Sequence, residues 1–161
     1  MKQILGAFFL TTVIIQPILI QPILAQTLID GSDIGEIINI AKGYGSATLE
    51  RSDEGEPAIR GRIDGKPYFL SFRNCSGENS CEDFFIQSYI LKPVVNYELS
   101  NKWNFEKRWT KVYYDADDDL VLEMDFNLDN GVTLANLEQA FSLWSQFLEQ
   151  FHDDYFAKKD K

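Results

Sequence analysis

Scarcity narrows the chemistry of this chain first. It has one histidine, His152, and two cysteines, Cys75 and Cys81, in 161 residues. A zinc centre would want more thiols or histidines than exist here, so no metal is expected, and no cofactor. A serine or cysteine nucleophile would have to borrow His152, near the frayed end of the last predicted helix and off its apolar stripe. The cysteines are spaced more widely than the Cys-x-x-Cys of redox catalysts. Gly43-Tyr44-Gly45 lacks the third glycine and the following helix of a phosphate loop. Positive charge is short too: 15 Lys and Arg against 25 Asp and Glu leave −10, with a pI near 4.5. That balance excludes nucleic acid and makes an anionic membrane surface a poor partner. No catalytic, cofactor-binding or metal-ligating residue is assigned.

What is present begins with a leader. Lys2 precedes an uncharged run from Gln3 to Thr27 with a small residue at Ala25, the form of a secretory signal peptide. Pro17 and Pro22 interrupt the run, and a proline inside a helix costs about 3 kcal/mol. Cleavage after Ala25 is favoured over an uncleaved anchor, and would leave one domain, 26–161, exported to the periplasm or the extracellular space. In such a compartment Cys75 and Cys81, in Asn-Cys-Ser-Gly-Glu-Asn-Ser-Cys, read as a local disulfide across a hairpin loop.

Periodicity supplies the fold class. Asp33 and Glu36 have the form of a capping box before Ile34, Ile37, Ile38 and Ala41, with Gly43 as the stop. Strands follow at 47–51, 58–63, 68–72 and 83–91, with Asp64-Gly65 as a hairpin turn. The spacing of Val95, Leu99 and Trp103 predicts a helix from Val94 to about Lys107, with Pro93 marking its start. Two further strands, 109–114 and 120–128, flank an acidic turn. In the second, Leu120, Leu122, Met124, Phe126 and Leu128 alternate with Glu123, Asp125 and Asn127. Thr133 caps a final helix whose stripe is Leu134, Leu137, Phe141, Trp144, Leu148 and Phe151. The order α-β-β-β-β-α-β-β-α predicts an α+β domain, an antiparallel sheet with helices on one face.

Several constellations resemble sites and fall short. Asp115, Asp117 and Asp119 match the first positions of a calcium loop, but Leu120 replaces its glycine and Phe126 its closing glutamate. Glu123 and Asp125 share a strand face and could front one cleft, yet nothing marks an apolar pocket that would hold one of them protonated. A solvated sheet face is the expectation there. Asn101-Lys102-Trp103-Asn104 reads as a helix end whose tryptophan fills the core. The alternative is a polar recognition edge formed with Lys107 and Arg108. Trp103, Trp109 and Trp144 are expected in the core, and Ala140 with Phe147 widens the last helix's apolar face enough to suggest a partner surface there.

These residues carry a family resemblance. Asn101-Lys-Trp-Asn104, Val112-Tyr-Tyr-Asp115, Leu122-Glu-Met-Asp125 and Gly131-Val-Thr133 resemble the YbjN domain family, as does the cysteine pair before a strand. The resemblance runs from about Ser32 to Phe151. It implies a bacterial source, a fold similar to type III secretion chaperones, and a regulatory role; no catalytic residues come with it. Those chaperones are small acidic proteins that bind other proteins and often dimerise. The signal peptide departs from both cytoplasmic roles. The expectation is an exported, non-enzymatic binding module with a protein partner or a homodimer, no nucleic acid, and no membrane after leader removal. The alternative is a small periplasmic hydrolase or ligand-binding protein using the acidic sheet face.

Overall fold

A computed structural model of the protein describes residues 27–156; the predicted leader lies outside the described residues. In chain order the elements are β1 (Leu28–Ile29), α1 (Ile34–Tyr44), β2 (Ser46–Arg51), β3 (Pro57–Ile63), β4 (Lys66–Arg73) and β5 (Asp83–Ile90). They continue with α2 (Tyr97–Glu106), β6 (Lys111–Tyr114), β7 (Leu120–Asn127), β8 (Val132–Thr133) and α3 (Leu134–Phe156). The domain is α+β, as the periodicity predicts. Two short strands add to the expected order: β1 and β8 pair antiparallel and are two residues each, too short to leave a periodic signal.

The main sheet has six antiparallel strands in the order β2-β3-β4-β5-β7-β6. β7 enters between β5 and β6, so the chain leaves β5, passes through α2 to the edge, and folds back inward. Alternation assigns the faces. Ile59, Ile63, Leu70, Phe72, Phe84, Ile86, Leu120, Leu122 and Met124 point to one side and are buried with Ile37, Leu137, Phe141, Trp144 and Leu148 of the helices. All three helices pack on that side: α2 reaches α3 through Trp103, whose ring meets Phe147 at 6.2 Å and Phe151 at 6.0 Å. Among the described residues no helix covers the other side of the sheet.

Local chemistry moves some boundaries. The capping box at α1 does not form, because the Asp33 carboxylate accepts from the Asp30 amide at 3.1 Å and its own carbonyl takes the Glu36 and Ile37 amides. Gly43 is not the stop either. The helix runs through Tyr44 to Gly45, where a Cβ would stand 2.1 Å from the Arg62 carbonyl oxygen on the neighbouring strand. α2 starts at Tyr97 rather than Val94, since Asn96 is the cap, accepting from the Leu99 amide at 3.1 Å. Ahead of it, Lys92 sits at φ 47° with its amide held by Asp119, and the Asn96 amide donates to the Tyr114 hydroxyl. Those tertiary bonds keep Pro93 and Val95 out of the helix, and Val95 is exposed.

At α3, Thr133 caps as expected, its hydroxyl accepting from the Asn136 amide at 3.2 Å. The stripe is buried from Leu137 onward, with Leu134 exposed. Ala140 and Phe147 are not an outward patch. Ala140 is buried and Phe147 packs on Trp103, so α2 uses the extra apolar width within the chain.

Candidate functional site

Strand register brings one residue from each of the six strands into a row across the helix-free face: Thr48, Arg60, Phe69, Gln87, Glu123 and Lys111. A parallel row holds Tyr89, Val121 and Tyr113. Over the β2–β5 half lies a trough of about 560 Å³ lined by Arg60, Arg62, Phe69, Gln87, Tyr89 and Leu91, among others. That is the size of a peptide or small-molecule subsite. Its floor is aromatic and its β3 wall is cationic. The Arg60 guanidinium pairs with Glu50 at 3.1 Å and lies over the Phe69 ring at 5.3 Å, while Arg62 donates to the Gly65 carbonyl.

Beside the trough, Glu123 is 7% exposed, not solvated as its place on a polar strand face suggests. Lys111 meets one carboxylate oxygen at 2.6 Å, and the Tyr113 hydroxyl and Gln87 amide both donate to the other at 2.5 Å. The Tyr89 hydroxyl closes the chain on Gln87. Burial alone would push this carboxyl up, but the bonds from Lys111, Tyr113 and Gln87 outweigh it and hold Glu123 below the usual carboxylate range. Reciprocally, Lys111 is raised, mainly by its bond to Glu123. A carboxylate held by three donors, one of them a cation, stays ionised and is poorly suited to act as a general acid. Asp125, two residues on, is exposed and ion-paired with Lys111 at 3.2 Å. The two carboxylates therefore do not form an acid–base pair.

Other predicted positions take structural roles. Ser88 and His152 do approach, at 3.3 Å, but the buried Ser88 hydroxyl donates to the Pro67 carbonyl at 2.7 Å, so its proton is not offered to the imidazole. Burial, helped by Lys66, lowers the pKa of His152. Asp115 accepts from the Asp117 and Asp119 amides, which makes that segment a closed hairpin turn. Among the described residues no cluster of His, Cys, Asp and Glu could hold a metal ion. Cys75 and Cys81 form a disulfide closing the β4–β5 loop, and Arg51 of β2 donates to the Glu78 carbonyl within it.

The resemblance residues divide in the same way. Trp103 is buried and its indole N–H donates to Thr110 at 3.1 Å. The Asn104 side-chain amide bonds Val112 in both directions, accepting from its N–H at 2.8 Å and donating to its carbonyl at 2.9 Å. Val112 lies on edge strand β6, so Asn104 blocks an open sheet edge. Gly131 has φ 79°, and a Cβ there would lie 2.8 Å from Leu28 Cβ of β1. Asn101 is exposed. Trp109, expected in the core, is 68% exposed. Replacing Asn104 by alanine should cost about 1–2 kcal/mol, two hydrogen bonds at the usual net value. Urea unfolding reads that cost, and faster hydrogen exchange at the Val112 amide locates it.

Fold and face together define a class: an α+β domain with a six-stranded antiparallel sheet, its described helices on one side, and a recognition-sized trough on the other. Within that class the chain belongs to the YbjN family, described as "Putative bacterial sensory transduction regulator", whose family model matches residues 34–156. No curated protein matches the chain.

Proposed function

We propose that this YbjN domain is an exported, non-enzymatic regulatory module that binds an extended acidic segment of another protein on the helix-free sheet face. The observation that carries the reading is the trough, where Arg60 lies over the Phe69 ring and Arg62 lines the same wall in a chain of net charge −10. A cationic wall in an acidic protein selects an anionic segment, and like-charged competitors are repelled. The edge of β2 adjoins the trough and, among the described residues, has no strand on its outer side, so an extended segment also finds backbone partners there. Hydrolysis by Glu123 and Asp125 is disfavoured because Glu123 is held ionised by Lys111, Tyr113 and Gln87. Export is supported by the leader sequence and by the disulfide, which persists in oxidising compartments.

The test is quantitative capture of partners from the exported fraction by the wild-type domain and by an Arg60→Glu, Arg62→Glu double variant. A partner held by the wild type should bind the variant at least about tenfold more weakly, as expected when attraction becomes like-charge repulsion. Equal capture by both proteins, or a partner with no acidic segment, sinks the reading.

A further inference from the structure

The turn from α2 into β6 presents two large aromatic side chains to solvent. Phe105 is 91% exposed and Trp109 68%. Phe105 lies about 200° round the helix from the buried Trp103, since each residue turns about 100°, so the packing of α2 aims it outward. Trp109 is held out by the backbone: it sits at φ 72°, a left-handed conformation costly for a bulky residue. Its neighbour Thr110 is turned inward and bonded to Trp103. The presentation is therefore built from both sides of the turn.

The segment itself is basic, unlike the chain as a whole. From Asn101 to Lys111 the segment carries Lys102, Lys107, Arg108 and Lys111 against one acid, Glu106. Lys107 is engaged with Gln150 and the Trp103 ring, Lys111 is neutralised by Glu123 and Asp125, and Asp154 lies beside Leu99 and Trp103, so the cations left to a ligand are Lys102 and Arg108. Lys102 and Arg108 are exposed beside the aromatics, and among the described residues Lys102 makes a 3.8 Å surface pair with Glu106, of little net worth. The net −10 of the whole chain does not cancel this patch, because exposed charges more than about 8–10 Å away are largely screened at physiological salt. Protruding aromatics flanked by cations fit a soft, anionic, shape-indifferent surface, where indole rings settle at headgroup depth.

We propose that the α2–β6 turn is a peripheral membrane-contact site, in which Phe105 and Trp109 enter the headgroup layer of an anionic phospholipid surface and Lys102 and Arg108 face its phosphates. No described helix is long and apolar enough to cross a bilayer, and this contact needs none. It differs from the expectation that membranes play no part once the leader is removed. It is also independent of the trough, which lies on the helix-free face.

The test uses the full chain with phosphatidylcholine vesicles, with and without phosphatidylglycerol, carrying brominated acyl chains. Trp103 and Trp144 are buried, so bromine quenching reports Trp109. Expected are quenching in the anionic vesicles, its loss in Trp109→Phe, and a partition constant at least about tenfold lower in Phe105→Ala with Trp109→Ala, the loss of two large apolar contacts. Lys102→Gln and Arg108→Gln should each cost about fivefold, the usual effect of one basic residue at an anionic surface. All these positions are exposed, and an unchanged melting temperature verifies folding. Anionic vesicles that leave Trp109 unquenched overturn the proposal, as does binding that survives loss of both aromatics. Capture of an acidic protein through the same residues, without vesicle binding, also overturns it.

Discussion

Trp144→Ala is expected to lower the unfolding free energy by about 3–5 kcal/mol, the range for truncating a large aromatic in a packed core. That is a large part of the roughly 5–15 kcal/mol that holds an ordinary domain folded. Trp144 lies in the centre of α3 at 0% exposure, within the core shared by α1, α3 and the covered sheet face. Its indole N–H is buried with no hydrogen-bond partner among the described residues. That feature separates two variants. Trp144→Ala removes the packing, whereas Trp144→Phe keeps most of the ring and also deletes an unsatisfied donor, which costs about 1–3 kcal/mol when buried. Trp144→Phe should therefore lose less than half as much stability as Trp144→Ala. Equal losses in urea unfolding would show that the indole N–H has an acceptor after all.

Glu123→Ala carries the second large effect, about 2–3 kcal/mol, because it strands the Tyr113 hydroxyl and the Gln87 amide in a half-buried site. The effect should depend on pH with a definite sign. The folded carboxyl titrates below its ordinary value of 4.5, so the unfolded chain binds the proton more readily. The stabilisation is then complete above that ordinary value and is lost as pH falls through the lower folded one. Unfolding curves of wild type and Glu123→Gln should differ most at neutral pH and converge in acid. A gap that is constant down to strongly acidic pH would mean that Glu123 is not an ionised, bonded carboxylate.

What the sequence shows and what it hides can be separated by residue. Period-two runs at Ile59, Gly61, Ile63 and at Leu120, Leu122, Met124 assign the buried face of each strand, and the three-and-four spacing of Leu137, Phe141, Trp144 and Leu148 assigns α3. Each is a local property of the chain. Strand order is not. That β7 enters between β5 and β6 is a tertiary fact, and it alone brings Gln87, Tyr113 and Lys111 around Glu123. A polar face was legible; the closed network on it was not. The helix start failed for the same reason, because distant partners, Asp119 and Tyr114, hold the segment between Lys92 and Asn96. Hydrophobicity predicts burial only on average, and at Trp109 a left-handed backbone turn directs the ring outward. The trough needs three hairpins in register before it exists, so no spacing in the sequence announces it.

The most direct measurement of the central claim is site-specific photo-crosslinking in the exported compartment, with the photoreactive side chain placed at Phe69 in the trough or at Lys42 on the outer surface of α1. If the helix-free face is the binding surface, a discrete adduct with a second protein forms from Phe69 and not from Lys42. The Arg60→Glu, Arg62→Glu background should abolish that adduct. Adducts formed from Lys42 alone, or equally from both positions, would contradict the account.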